Sequence, residues 1–488
     1  MSPSLVIALT ILAPVAAAAV IAMIGERNPN LRETATLVFA TIVFGLVLTL
    51  LPHVVAGERP ELFLAELLPG LRISFEVEPL GLLFALVASS LWIITSIYSI
   101  GYMRGHHEEN QTRFYLFFAI AIAAVMGVAF AGNLLTLFVF YEVLTLSTFP
   151  LVTHHGTPEA RRGGRVYMGV LLTTSILMLL PAVIWTWAVA GTLDFRPGGI
   201  LEGALSPGST TVLLGLFVFG IGKAAVMPVH RWLPAAMVAP TPVSALLHAV
   251  AVVKAGVFSI LKISVYVFGI DALREMGSSE IFAYAAGVTI LLASLVAFTK
   301  DNLKARLAYS TVGQLSYIVL GAMLANSLGI IGGGMHIAMH AFGKITLFFG
   351  AGAILVAAHR TQVSELDGIG RVMPVTMAAF LIGALSITGL PPMGGTWSKW
   401  YLALGSLDAG QPFLLAVLMI SSLLNIGYLL VIPARAFFAT PDPELAAHGV
   451  HEAPAPMLVA MVATAAITLA LFVFPDPFYD LVRMVVEP

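Results

Sequence analysis

Five lysines, one glutamate and three histidines stand in stretches of this chain that are otherwise apolar. They are Lys223, Lys254, Lys262, Lys344 and Lys399, with Glu142, His248, His336 and His340. The densest group lies in Gly220–Gly256, which holds Lys223, His230, His248 and Lys254 together with Pro228, Pro234, Pro240 and Pro242. Proline removes a backbone donor and breaks or kinks a helix, and a broken helix with a charge beside the break is how transporters build ion sites. Arginine hardly releases its proton, whereas a buried lysine can. A structural need for positive charge does not explain why all five are lysine. The chemistry these residue types offer is proton or cation transfer.

Each residue has a definite expectation. A lone carboxylate in an apolar setting protonates. Glu142 is therefore either charged and partnered by Lys223, or neutral and hydrogen-bonded between helices. Lys223 lies one turn before Pro228, where freed carbonyls bind water. It either exchanges its proton there or simply neutralises Glu142. His248 and Lys254 are six residues apart, about 600° of helix, so they border one path without sharing a face. Lys262 lies nearer the end of its segment, where a long side chain snorkels outward. His336, His340 and Lys344 are spaced four and four and form one stripe. Histidine suits proton relay near neutral pH. Hydrogen bonding between helices and metal ligation are the other readings, but there is no HExxH and no third carboxylate ligand. Lys399 follows Pro391, Pro392, Gly394 and Gly395, a second break that mirrors the one at Lys223. Expected catalytic positions are thus Glu142, Lys223, Lys254 and Lys399. Relay positions are His248, His336, His340 and Lys344, and the helix breaks are at Pro228, Pro391 and Pro392.

The elements that must carry these residues are membrane helices. The chain has 488 residues, of which 59% are hydrophobic and 10% charged, against about 25% charged in a soluble domain. With about 20 apolar residues per span, fourteen candidates emerge, near 4–24, 33–54, 79–101, 114–131, 133–153, 166–190, 211–239, 243–267, 280–299, 306–325, 328–357, 373–404, 411–437 and 456–474. The fold class expected is all-α and polytopic, with the seventh and twelfth spans broken. Two breaks five spans apart suggest an inverted repeat. The division is 1–110 for three N-terminal helices, 111–270 for a first five-helix unit, 271–440 for a second, inverted unit, and 441–488 for a last helix and tail. The first apolar run has no basic residue before it and is expected to be retained as a helix.

Fourteen basic residues fall in one set of alternate connections and five in the other. By the positive-inside rule the first set is cytoplasmic and both termini are outside. Glu142 is expected to be the only acidic residue well inside the membrane. The acid-rich segment 52–78, including Glu76 and Glu78, is expected to be a solvated outer loop with room for a short β-hairpin. Lys300, Lys304 and Arg306 read as ordinary interfacial anchors, with Gln314 inside the span they open. His154, His155, His448 and His451 read as solvated, and His53 and His359 are not expected to form sites.

Several functions are excluded. A net charge of −2 argues against a nucleic-acid partner. The absence of cysteine excludes disulfides and Cys-ligated clusters within this chain. No Walker A or dinucleotide fingerprint is present, and no cofactor or metal is expected.

The lysine followed by MPVHRWLPAAMVAPTPVSALLHA and a second lysine resembles the proton-translocating antiporter family. This family comprises the Mrp-type Na⁺/H⁺ antiporter subunits, the antiporter-like subunits of respiratory complex I, and their counterparts in membrane-bound hydrogenases. FVFYEVLTLSTFPL, KDNLKARLAYSTVGQLSYI, GMHIAMHAFGKITLFF and GLPPMGG follow in the family's order. The resemblance implies fourteen helices, two inverted five-helix units and a central polar axis. It makes Glu142, Lys223, Lys254 and Lys399 the helix-five, -seven, -eight and -twelve positions, with His336, His340 and Lys344 on helix eleven. The length and the lysine set look most like the D-type Mrp component, because the long C-terminal extension of the A-type component is not seen. The implied partners are other subunits of a hetero-oligomeric complex in the cell membrane, carrying protons and Na⁺ or another monovalent cation. The alternative is a proton-pumping component of a redox enzyme, the one setting in which the chain would count as part of an enzyme.

Overall fold

A computed structural model describes residues 1–441, 443 and 449–487. His448 lies outside them. The chain is mostly helical, with a single two-stranded sheet among the described residues. In chain order the principal elements are α1 (Pro3–Ile24), α2 (Pro29–Val55), β1 (Glu61–Leu68), β2 (Leu71–Glu76), α3 (Pro79–Gly105), α4 (Gln111–Ala129), α5 (Leu134–Val152) and α6 (Pro158–Ala190). They continue with α7 (Pro207–Gly220), α8 (Thr241–Phe268), α9 (Glu280–Thr299), α10 (Leu303–Met323), α11 (Ser327–Ala358), α12 (Pro374–Thr388), α13 (Gly395–Asp408), α14 (Pro412–Phe438), α15 (Ala455–Val473) and α16 (Asp476–Val486).

Among the described residues, eleven helices are long and apolar enough to cross a membrane. Three of the fourteen expected spans are not among them. The seventh and twelfth are broken into shorter pieces, α7 with the turns after it and α12 with α13. The tenth, α10, has 21 residues but carries Lys304, Arg306, Gln314 and several hydroxyls. The terminal helix α16 was not anticipated. It lays Leu481, Val482 and Val485 against α3 and α11.

Local sequence explains where the helices begin. Ser2, Asn28, Glu78, Asn133, Thr157, Ser206, Asn302 and Asn326 each cap a helix by accepting a backbone N–H, and proline follows in five of these cases. In hydrocarbon an orphaned N–H costs several kcal/mol, so caps matter more than in water.

The expected hairpin is present, with Glu61 opposite Glu76 and a turn at Pro69-Gly70, where Gly70 has φ +79°. It is tied down by Arg72, which donates to both oxygens of Asp194 at 3.1 and 2.5 Å, and by Asn133, whose amide donates to Arg72 O at 2.9 Å.

The expectation of a fully solvated segment fails at its end. Glu78 is 2% exposed because it caps α3, accepting from the backbone N–H groups of Leu80 and Gly81 at 2.7 and 2.8 Å. Glu33, near the start of α2, is also buried, accepting from Arg104. His154 is also buried rather than solvated, packed edge-on to Phe114.

Helix α8 is buried along its whole length, and α11 from Gly329 to Ile354. These two helices pack against each other at the centre. They carry Lys254, Lys262, His248, His336, His340 and Lys344. α1, α2, α9 and α14 instead leave apolar faces exposed, with Leu12, Ile42, Leu292 and Leu423 among the outward side chains. That inversion, with apolar residues outside and charges inside, is the pattern of a protein dissolved in lipid.

Candidate functional site

At the first break α7 stops at Gly220. One 3₁₀ turn, Gly222–Ala224, follows, then Ala225 with φ +55°. The chain resumes at Val229–Arg231 after Pro228. Freed backbone groups find partners: Trp232 Nε1 donates to Gly222 O at 2.8 Å and Met227 N to Thr289 Oγ1 at 3.2 Å. Lys223 is thereby held inside the protein, 0% exposed. Its ammonium donates to Tyr141 O at 2.8 Å and Thr145 Oγ1 at 2.5 Å, and lies 3.1 Å from the centroid of the Tyr141 ring. Gly256 of α8 lets this happen. A Cβ there would come within 2.4 Å of the Lys223 carbonyl carbon and Ala224 N.

Glu142 sits beside Tyr141 on the same helix, within electrostatic reach of Lys223. Among the described residues no ion pair within 4 Å joins them. Both Glu142 oxygens are buried without a hydrogen-bond partner. Lys223 is instead bound to a carbonyl, a hydroxyl and a ring face.

Helix α8 brings the next two groups. His248 lies in a π-helical turn, Leu246–Val250, with both ring nitrogens buried and unpartnered and its ring 4.9 Å from that of Phe348. Lys254 Nζ meets His340 Nδ1 at 2.8 Å, the direct contact between α8 and α11 on this line. His340 Nε2 has no partner. A buried polar nitrogen without a protein partner is a place for water or a proton donor.

The stripe on α11 is present as spaced, but its members face different neighbours. The His336 and His340 rings are 5.7 Å apart. His336 bonds Ser398 Oγ of α13 at 2.8 Å and Gln314 Oε1 of α10 at 3.1 Å. Lys344 donates to Ser310 Oγ at 2.7 Å, and Ser310 is shared with the Tyr428 hydroxyl at 3.1 Å.

At the second break α12 ends before Gly389 and α13 begins after Pro391, Pro392 and Gly394. Met227–Pro228 and Pro391–Pro392 are both cis. Lys399 donates to Thr388 O at 3.0 Å and Ser422 Oγ at 3.3 Å, and its ammonium lies 4.7 Å from the Tyr317 ring centroid. Gly389, with φ +88°, packs where a Cβ would stand 2.5 Å from Lys399 Cδ. Tyr317 in turn stacks on His336 at 5.7 Å.

Sequence reasoning missed Tyr141, Thr145, Tyr317, Ser310, Ser398, Ser422 and Tyr428, because hydroxyls on membrane helices carry no spacing signal. It also misplaced Lys262, which does not snorkel. Its ammonium is enclosed, 3.1 Å from Glu78 Oε1 and 2.8 Å from Ala131 O. Lys304, expected as an interfacial anchor, reaches inward to Ala239 O at 2.6 Å.

A family model described as NADH:quinone oxidoreductase/Mrp antiporter, transmembrane, matches residues 131–425, which span both breaks and all nine polar positions. The chain belongs to this family. A model for the N-terminus of complex I chain 5 also matches residues 70–115. The N-type subunit of NADH-quinone oxidoreductase from Desulforudis audaxviator is 33% identical over 78% of this chain and 76% of its own length. Hydrogenase-4 component B of Escherichia coli is 30% identical over 82% of this chain and 62% of its own. The A-type Na⁺/H⁺ antiporter subunit of Alkalihalophilus pseudofirmus is 30% identical over 86% and 54%. The chain therefore spans little more than half the length of that antiporter protein. Chains in the solved Mrp complex from Dietzia sp. and in a membrane-bound sulfane sulfur reductase, an archaeal respiratory complex, share the fold. Each has a TM-score of 0.86 over 99% of this chain, at 23% and 22% identity. The protein is thus an antiporter-like membrane subunit of the kind found in Mrp and complex I-like assemblies.

Proposed function

We propose that this chain is the D-type component of a multisubunit monovalent cation/proton antiporter, and that it conducts protons along a central axis. What supports this is the set of titratable groups held inside the protein on adjoining elements: Glu142 and Lys223 at the first break, His248 and Lys254 on α8, His340, His336 and Lys344 on α11, and Lys399 at the second break. Lys254 and His340 are 2.8 Å apart and the two imidazoles 5.7 Å apart. Glu142 modulates Lys223, Lys254 and His248 receive the proton, and the α11 residues pass it to Lys399, which gates the far side. The partners are the other subunits of the complex, in the cell membrane, with both termini outside.

The inverted repeat of 111–270 and 271–440 is supported by matched details. Asn133 caps α5 and pairs its backbone with Asp194. Asn302 caps α10 and pairs with Gln362. Each pair joins the start of the second helix of a unit to the loop before its broken helix. Each break lysine also lies over a tyrosine of that second helix, Lys223 over Tyr141 and Lys399 over Tyr317.

In everted vesicles containing the whole assembly, Lys223→Ala and Glu142→Ala are expected to abolish cation-dependent proton exchange while the complex still assembles. Wild-type exchange in either assembled variant sinks the assignment. A second reading is favoured by the 33% identity to an NADH-quinone oxidoreductase subunit: a proton-pumping component powered by electron transfer in a partner. Iron–sulfur absorbance in the purified assembly, with pumping that requires a reductant, selects that reading. Exchange of Na⁺, K⁺ or Li⁺ without redox input selects the antiporter.

A further inference from the structure

Lys262 has no place in the axis just described, yet its burial is complete. Its side chain and that of Glu78 are 1% and 3% exposed, with 3.1 Å between Nζ and Oε1. Capping α3 does not require it, because Glu78 already accepts the Leu80 and Gly81 N–H groups. Burying an ammonium is costly, and an apolar side chain of similar volume commonly serves stability as well or better. Tyr266 adds a further donor to Glu78 at 3.1 Å.

The surroundings of the pair lead in two directions. Toward the face bearing the β1–β2 hairpin stand Glu76 and Arg59, 3.3 Å apart and partly exposed at 16% and 28%. Arg59 also lies 5.7 Å from the Tyr266 ring. Arg59 and Pro79 line a surface cleft of about 110 Å³. Burial holds the Glu76 carboxyl above its ordinary range, against the opposing pull of Lys262 and Arg59, so this carboxylate is disposed to accept a proton. Toward the centre, Lys254, Phe258 and Lys262 are spaced four and four along α8 and share one stripe. About 12 Å of helix separates the two lysines. Phe258 fills that interval, its ring 5.4 Å from Lys262 Nζ and 5.0 Å from the ring of Phe84.

We propose that Lys262 and Glu78 form a second proton-transfer station, linking Lys254 to the hairpin face, with Phe258 as an apolar gate between the two lysines. The station rests on the proton-conducting reading above. In the transfer, an Nζ–H bond of Lys262 breaks and an O–H bond forms on Glu78. Glu78 passes that proton to Glu76 or to water in the cleft and returns to the carboxylate. The neutral Lys262 amine is then reprotonated from Lys254 through water when the Phe258 ring turns aside.

The test is proton flux in proteoliposomes containing the whole assembly, with a pH step imposed from the hairpin face and read by an enclosed pH-sensitive dye. Lys262→Arg keeps the charge and the ion pair but hardly releases a proton. It is expected to assemble normally and lose flux at least tenfold, whereas a purely structural lysine would be rescued by arginine. The double variant Lys262→Met with Glu78→Gln removes both charges together and leaves no unpaired ion, and the same loss is expected. Phe258→Ala, which leaves every charge in place, is expected to raise passive proton leak at least threefold. Wild-type flux in Lys262→Arg or in the double variant overturns the station, and unchanged leak in Phe258→Ala overturns the gate. Absence of flux in the wild-type assembly overturns the conduction reading itself, and the station with it.

Discussion

An ammonium held by neutral groups behaves differently from one locked to a carboxylate. Lys223 binds a carbonyl, a hydroxyl and a ring face. Lys399 has the same three kinds of partner, and Lys254 meets a neutral-capable imidazole. None of these partners carries a fixed negative charge. The Lys254–His340 contact should therefore act as one unit. Lys254→Met and His340→Gln are each expected to cut proton flux by about tenfold or more, and the double variant should be no worse than the worse single. Multiplying effects would show that the two residues act independently.

A different residue pair, outside the spans, sets a pH dependence. Burial pushes the Glu108 carboxyl up, but hydrogen bonds from His155 and His106, with the charge of His155 and His154, outweigh that and hold it below its ordinary value. The hydrogen bond to Glu108 raises His155 against the opposing effect of burial. The Glu108 contribution is present above the ordinary carboxylate range and is lost as pH falls through its lowered value. The His155 contribution is present below the ordinary imidazole value and is lost as pH rises through its raised one. The pair thus stabilises the wild type over a window from mildly acidic to just above neutral pH. Because His155 is more than a third exposed, the gain is at most about 1 kcal/mol. Melting of the detergent-solubilised protein across pH, compared with His155→Ala, should show a difference inside that window and converge outside it.

At the scale of elements, the two breaks depend on close approach as much as on proline. Gly256 admits the backbone of the first break, and Gly389 admits the stem of Lys399. Gly256→Val would drive a side chain into the Lys223–Ala224 backbone. A cost of about 1–3 kcal/mol is expected from overpacking, with flux falling because Lys223 is displaced from Tyr141. Reduced melting temperature with unaltered flux would argue that the lysine's position is not held by this contact. Sequence made both breaks visible, because Pro228, Pro391, Pro392 and the nearby glycines interrupt long apolar runs. A hairpin was allowed for in the long segment 52–78, and the structure places its turn at Pro69-Gly70. The π-helical turn at His248 was not, since nothing in LLHAV differs from an ordinary helix.

For the whole molecule, α8 and α11, the most deeply buried of the membrane-length helices, carry six lysine and histidine side chains. α8 and α11 sit at the centre and are shielded by apolar helices that face outward. This arrangement lets six titratable groups share a low-dielectric interior in which each alone would be costly. The sequence by itself determined the membrane class, the two breaks and the titratable residues within apolar runs. These follow from composition and local spacing, and an ammonium or imidazole in an apolar run is conspicuous wherever the run folds. Only the tertiary structure decided the partners. Lys223 met Tyr141 and Thr145 rather than pairing directly with Glu142, Lys254 met His340, and Lys262 turned inward to Glu78. Such contacts join residues 78 to 184 positions apart. Hydropathy and periodicity act within one helix, and which faces of two helices meet is settled by packing among all of them.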